Sequence, residues 1–460
     1  MNPTQNGSLP QPSPSRLMAA RRRWSAALAL LLLLSLSGPW AWAQGDAKPA
    51  GEGEGADPSQ DIFIEGIGFS KLTVALEGAL PPNAGPAALA TQQLLEKNLC
   101  WSGVFNLWGG ISRHCALRAE PQRLDMRLGL SFQDRRLRLR LKDAGAEGAV
   151  LFEDTLALVA GDDERPVMDL VNRLVERITG QPGILGSTIA FVLRQPRYAK
   201  VIVATNTHGK LLQPISHNAD INLLPRWSPS GTSLVYTVLG RAGTQVYFHN
   251  FARSDGLGPS RFLTQPGSLN TGGTFSPDSK RLIITMNPNE NADLYELDLL
   301  KNTRRQLTSR LGIETQADWA KDGSKLVFVS DRSGSAQVYL LDFQTNEDLR
   351  LTFDGIYNAD PRFSPDGRLI LFTKRVGDKD QIHIMDINGE NVRQITRGRF
   401  DSEQAAWSPD GHQIVFSSDR TGDSKAYVVS TDGTGLRRLT DTPAGFEESS
   451  PSWTLRQMFR

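Results

Sequence analysis

Apolar and polar positions follow three rhythms along this chain, and each predicts a different kind of structure. Ile62, Ile64 and Ile67 alternate with polar residues and with Gly66 and Gly68, which predicts a short extended arm over Asp61–Phe69. Leu72–Leu76 predicts a firmer strand, and a helix can open at Pro86 and carry Leu89, Leu94, Leu95 and Leu99. Leu124–Leu130, Leu137–Leu141 and Val150–Val159 predict further strands. Val167, Leu170, Val171, Leu174, Val175 and Ile178 recur at helical spacing between Pro166 and Gly180. Residues 61–180 therefore predict an α/β N-terminal domain, with Gln181-Pro182-Gly183 as the linker. Arg136, Arg138 and Arg140 fall on one face of one strand, as a solvated outer face requires.

From about residue 187 the helical rhythm gives way to a repeat. Trp227, Phe275, Trp319, Phe363 and Trp407 each lead a Ser-Pro-Asp-Gly-like box and lie 48, 44, 44 and 44 residues apart. Thr264, Thr308, Thr352, Thr396 and Thr440 close a second box, and Tyr247, Tyr295, Tyr339, His383 and Tyr427 stand in phase with both. Each unit predicts four antiparallel strands, the blade of a β-propeller, with the proline and glycine of the box suiting a type I turn. Five blades are continuous. The sixth is assembled from both ends of the array: Trp453 supplies the innermost strand, and Ile189–Val192, Val201–Thr205 and Lys210–Ser216 the other three. The expected architecture is thus an α/β domain followed by an all-β six-bladed propeller over 187–460.

The N-terminus has yet another character. Residues 1–43 hold Arg16, Arg21, Arg22 and Arg23 with no acid, followed by the apolar run Ala26–Leu36 and by Ala41-Trp42-Ala43, the pattern of a cleaved export signal. The run is too short to span a bilayer, and Arg22-Arg23-Trp24 leaves the twin-arginine route open beside the general one. Residues 44–60, rich in Gly, Glu and Pro, predict a disordered leader. The formal charge of +1 becomes about −3 without the four arginines of 1–43, which gives no basis for nucleic-acid binding. An exported protein can keep disulfides, so Cys100 and Cys115 are a candidate pair, with two free buried thiols as the alternative.

No catalytic motif stands out: there is no G-x-S-x-G, H-E-x-x-H, P-loop or dinucleotide fingerprint, and the six histidines are scattered. Neither a metal nor a cofactor is expected. The connections 217–226, 265–274, 309–318, 353–362, 397–406 and 441–452 gather with the second-to-third-strand turns at one mouth of the ring, where propellers bind partners.

The export signal, the arm, the α/β domain closing in Ile178–Gly183, and blades carrying FSPDG and SDRxG boxes (Ser330–Gly334, Ser418–Gly422) together resemble the TolB family, the periplasmic propeller proteins of the Tol-Pal system. The resemblance implies a periplasmic, non-enzymatic, monomeric scaffold without membrane insertion, supporting outer-membrane integrity and constriction at cell division. It implies that the mouth binds the lipoprotein Pal and that the arm, at Asp61, Ile62, Phe63, Ile64 and Phe69, docks on TolA; Leu269, Gly272 and Thr315, which precede the aromatic leads of the second and third blades on mouth loops, are the candidate Pal contacts. Other outer-membrane proteins are further possible partners. The alternative is a periplasmic hydrolase or lyase that uses the propeller as a substrate filter; the lack of a domain after Trp453 speaks against it.

Overall fold

The computed structural model describes residues 71–458, apart from 79–84, 112–116, 118, 134, 146–147, 158–163, 197–199, 211 and 253–255. The export signal, the leader, the arm residues Asp61, Ile62, Phe63, Ile64 and Phe69, and Cys115 lie outside the described residues. The architecture is an N-terminal α/β region followed by a six-bladed β-propeller.

The α/β region is a five-stranded sheet under two helices. Its strands are β1 (Leu72–Glu77), β2 (Phe105–Trp108), β3 (Met126–Gln133), β4 (Arg136–Asp143) and β5 (Val150–Ala157), in the spatial order β2-β1-β3-β4-β5. β1 runs parallel to both β2 and β3, and the remaining pairs are antiparallel. Helices α1 (Gly85–Trp101) and α2 (Arg165–Thr179) cover one face. Leu95 and Leu99 of α1 and Val167, Leu170, Val171 and Leu174 of α2 pack there against Leu137, Leu139 and Leu141 of β4.

Two local expectations change. The inner face of α1 runs through Ala88, Leu95 and Leu99, which leaves Leu89 exposed one step around the helix. β2 was not foreseen, because four residues joined in parallel to β1 show no rhythm of their own. α2 begins with Pro in its first turn and ends at Gly180, whose left-handed backbone (φ 71°) lets its N–H reach the Glu176 carbonyl at 2.9 Å. On the opposite face of the sheet Arg138 and Arg140 point outward and pair with Glu153.

In the propeller the phased boxes take fixed structural places. Blade 1 occupies 221–262, blade 2 270–306, blade 3 314–350, blade 4 358–394 and blade 5 402–438. Each aromatic lead ends an innermost strand and is buried. Ser276, Ser364 and Ser408 open the Ser-Pro-Asp turns, accepting the N–H three residues on at their own carbonyls and offering their hydroxyls to Asp278, Asp366 and Asp410. The threonines have a different task. The hydroxyls of Thr264, Thr308, Thr352 and Thr396 accept the N–H of Val246, Leu294, Val338 and Ile382 at 2.9–3.0 Å, capping the third strand where the outermost one leaves it. Ser216 does the same for Ile202 in blade 6.

Blade 6 joins the two ends of the array. Strand Glu447–Thr454 pairs antiparallel with Thr188–Arg194, which continues through Lys200–Asn206 to Gln213–Pro214. Trp453 is buried and its Nε1 donates to Ser187 Oγ at 2.7 Å, while Thr188 Oγ1 donates to the Arg456 carbonyl at 2.6 Å.

Candidate functional site at the propeller mouth

The innermost strands build the central channel, and all six carry the same irregularity. Three residues before each aromatic end the backbone turns left-handed, at Leu224, Gly272, Gln316, Asp360, Gln404 and Ser450, with φ between 51° and 70°. At each of these points the pairing with the second strand shifts by a β-bulge. The bulge corrects the sequence reading. Stretches taken for long mouth loops are strands that begin at Asn270, Glu314, Asn358 and Ser402, because a left-handed residue breaks the alternation by which a strand is recognised. The true mouth loops end just before those residues.

The bulges also stitch neighbouring blades together. Asp360 N–H donates to Gln316 Oε1 at 3.0 Å, Ser450 N–H to Gln404 Oε1 at 2.8 Å, and Gly272 N–H to Thr237 Oγ1 at 3.0 Å. Asp318 bridges three blades, accepting Thr274 Oγ1 at 3.0 Å and the Phe363 N–H at 2.9 Å. Burial pushes the carboxyl of Asp318 up to about 6, against the pull of the Arg226 guanidinium and these two hydrogen bonds. Burial lifts Asp360 to about 6 as well, again opposed by Arg226. Glu314, fully buried behind the rim and bonded to Ser330 Oγ at 2.8 Å, is lifted to about 7 by the same cause. The channel wall therefore holds buried carboxyls whose proton affinity is raised by burial and opposed by Arg226 and, for Asp318, by its hydrogen bonds.

Of the three mouth residues singled out from sequence, Leu269 and Thr315 are buried. Leu269 N–H donates to Asn287 Oδ1 at 2.6 Å, and the Thr315 hydroxyl accepts from Thr285 Oγ1 at 3.2 Å. Gly272 differs: a Cβ added there would meet no atom within 4 Å, although its left-handed backbone (φ 70°) disfavours one.

The exposed chemistry of the rim lies elsewhere. Leu311 is 92% exposed, Phe353 74% and Ile356 76%, on the loops that enter blades 3 and 4. The turn over 331–336 stands between these loops. Ile313 N–H donates to Asp331 Oδ1 at 2.7 Å, Ala336 forms a bridge with Tyr357, and Gln337 Nε2 donates to the Gly355 carbonyl at 3.0 Å. Arg310 reaches Asp348 at 3.6 Å, and Arg350 lies over the Phe353 ring at 4.9 Å. Large apolar side chains are thus held on braced loops rather than on floppy ones. Sequence reasoning missed them because a single Leu or Phe between polar loop residues carries no periodic signal.

The α/β region seats against the opposite end of the ring, at blades 5 and 6. His208 Nε2 meets Asn98 Oδ1 at 3.0 Å and Glu164 Oε2 at 3.2 Å, the Arg437 guanidinium lies over the Trp101 ring at 4.4 Å, and Gln413 Nε2 donates to the Trp101 carbonyl at 2.9 Å. Lys71 Nζ donates to Thr434 Oγ1 at 2.7 Å. Burial drives His208 down to about 3, so the imidazole is neutral, and its contact with Glu164 is not an ion pair.

Residues 175–457 match the family model described as TolB beta propeller domain. The chain belongs to the TolB β-propeller family. A Tol-Pal system protein TolB of Desulfosudis oleivorans is 31% identical over 151 residues, 33% of this chain and 33% of that protein. One of Anaeromyxobacter dehalogenans is 28% identical over 249 residues, 50% of this chain and 56% of that protein. The matched stretches thus span from a third to somewhat over half the length of these relatives. The crystal structure of TolB from Acinetobacter baumannii superposes with a TM-score of 0.67 at 25% identity, covering 84% of this chain and 97% of that one. The likeness to that TolB therefore extends across the α/β region as well as the ring. Among the described residues no helix is long and apolar enough to cross a membrane, and no group of acids, histidines and cysteines is placed to hold a metal ion.

Proposed function

We propose that this protein is a non-enzymatic periplasmic scaffold of the Tol-Pal system that holds the lipoprotein Pal at its propeller mouth and TolA on its N-terminal arm, for outer-membrane integrity and constriction at division. The observation that carries the mouth assignment is the exposure of Leu311, Phe353 and Ile356, which present apolar area to solvent on two neighbouring braced loops of the mouth. A few anchoring apolar side chains ringed by polar groups are what a protein-binding patch needs. Gly272 supports the reading from inside the channel, where its missing side chain leaves open space for an inserted partner segment. Leu269 and Thr315 support it as the packed wall behind that space. The arm, at Asp61, Ile62, Phe63, Ile64 and Phe69, has the alternating apolar residues that add to a sheet edge. The pairing of Cys100 with Cys115 belongs to this proposal as a clamp on the last turn of α1.

Calorimetry of the exported protein tests the two seats separately. Phe353→Asp with Ile356→Asp is expected to weaken Pal binding by about a hundredfold, an effect of the size that paired hot-spot losses produce. Gly272→Gln, which installs the residue that blades 3 and 5 already carry at this backbone position, is expected to weaken it without unfolding the blade. Deleting residues 61–69 is expected to abolish TolA binding and leave Pal binding within a few-fold. Unchanged Pal affinity in the double aspartate variant would refute the mouth assignment. Hydrolytic or lyase activity on peptides or glycans would favour the enzyme alternative.

A further inference from the structure

One inter-blade cleft is unlike the other five. In every blade the residue of the third strand that pairs with the third residue after the start of the box turn's exit strand faces the next blade, and in five blades it is apolar: Phe248, Leu340, Ile384, Val428 and Ala204, paired with Val235, Val327, Leu371, Val415 and Ala190. In blade 2 the equivalent pair is Ile283 with Glu296. A carboxylate in an apolar slot is costly unless it is paired. Here Arg281 Nη1 lies 3.2 Å from Glu296 Oε2 and Arg305 Nη2 lies 3.4 Å from Oε1.

The charged group borders a cavity of about 320 Å³ between blades 2 and 3, at the end of the ring away from the mouth. Trp319 and Phe343 form its aromatic side, with ring centroids 5.1 Å apart, and Arg281 lies over the Trp319 ring at 5.1 Å. Asn346 adds an amide at the rim. The contacts of the α/β region with the ring described above lie at blades 5 and 6, across the ring from this cleft. We propose that the cleft is a binding site for a pyranose saccharide. The cavity falls at the small end of ligand pockets, which suits a short sugar. Glu296 offers acceptors to hydroxyl groups, the two guanidiniums offer donors beside it, and the half-buried Phe343 ring, unlike the covered Trp319 indole, is left to pack against the C–H face of a sugar ring. An anion matches the set less well, because it would have to approach the Glu296 carboxylate to reach either arginine.

The test uses the full exported chain, titrated with N,N′-diacetylchitobiose, cellobiose and maltose, and separately with sodium phosphate, by calorimetry and tryptophan fluorescence. Saturable binding of at least one disaccharide is expected, with a change in fluorescence from Trp319. Glu296→Leu places in blade 2 the residue blade 3 carries at that slot, so the fold should hold. It is expected to lower saccharide affinity about tenfold or more while leaving the melting temperature near that of the parent, as loss of a charged hydrogen-bonding partner predicts. Arg305→Ala, at an exposed side chain, should lower it several-fold. The proposal fails if none of the three disaccharides binds, if Glu296→Leu binds as well as the parent, or if phosphate binds in the cleft and displaces the sugar. Any of these results would leave the triad as an ion pair tying the outer strands of blade 2.

Discussion

The two ends of the ring have been finished in opposite ways. At blades 5 and 6 the end carrying the box turns is sealed by the α/β region, with a neutral His208, the Arg437 guanidinium over Trp101, and Gln413 on the Trp101 carbonyl. At blades 3 and 4 the mouth is left open, with Leu311, Phe353 and Ile356 in solvent around a belt of carboxyls of raised proton affinity. A repeat scaffold is nearly symmetric, so such differences mark where the molecule has given up symmetry for a purpose. The sealed end spends apolar and cationic side chains on its own chain, whereas the open end holds them in reserve.

The largest expected effect comes from breaking the ring on which both ends depend. Trp453→Ala should cost about 3–5 kcal/mol, the usual range for removing a large aromatic from a packed site, and removing residues 451–460 should cost more, because it also exposes the edge of Thr188–Arg194. Urea denaturation monitored by fluorescence measures both, and a truncated protein that melts with its parent would disprove the split-blade closure.

Next comes the sealed end alone. Trp101→Ala removes the ring that lies against His208, Lys97 and Arg437, and about 2–3 kcal/mol is expected from the lost packing and cation–π contacts. Water entering there should also lift the His208 titration from about 3 toward its ordinary range, which NMR of the imidazole would follow. Under the proposed assignment, Pal binding at the mouth should stay within a few-fold.

The smallest effect sharpens the contrast through pH. His208 holds fewer protons folded than unfolded, so its contribution is present above the unfolded value of 6.5 and is lost as the pH falls, by roughly 2 kcal/mol at pH 5. Asp318 and Asp360 have folded values near 6, above the unfolded 3.8, so their contribution is greatest at low pH and is lost as the pH rises through 6. Between pH 7 and 5 the sealed end therefore weakens while the channel strengthens, by about 1 kcal/mol for each aspartate. Asp318→Asn with Asp360→Asn should make the protein lose more stability than its parent over that interval, and His208→Gln should make it lose less. Equal slopes in melts of all three proteins would refute the assignment.

How far sequence alone reached follows from what kind of signal each feature leaves. The blades were legible because box turns, aromatic ends and closing hydroxyls repeat in one phase, and each proves to be a strand end, a core side chain or a backbone cap. The split blade was legible for the same reason, since Ser216 and Trp453 keep that phase across the break. Helix α2 announced itself by spacing and by Gly180. Features that depend on one residue, or on departure from the repeat, were hidden. The left-handed bulges turned strands into apparent loops, Thr315 among them, and no spacing signal shows that the fold buries both Thr315 and the loop residue Leu269. Glu296 is unusual only when the six third strands are laid over one another, which needs the register and not the spacing.

The seam of blade 6 has a consequence for force. Thr188 pairs with Thr454, so the chain enters and leaves the ring at adjoining ends of two antiparallel strands. Tension applied between the α/β region and the C-terminus would load those hydrogen bonds one after another, as a zipper opens, instead of shearing them all together. Tension applied between the α/β region and a partner seated at the mouth would travel instead through the packed sheets and the His208–Trp101 contacts, and bypass the zipper. A pull on the tail would therefore open the seam pair by pair, whereas a pull along the ring axis would load other bonds.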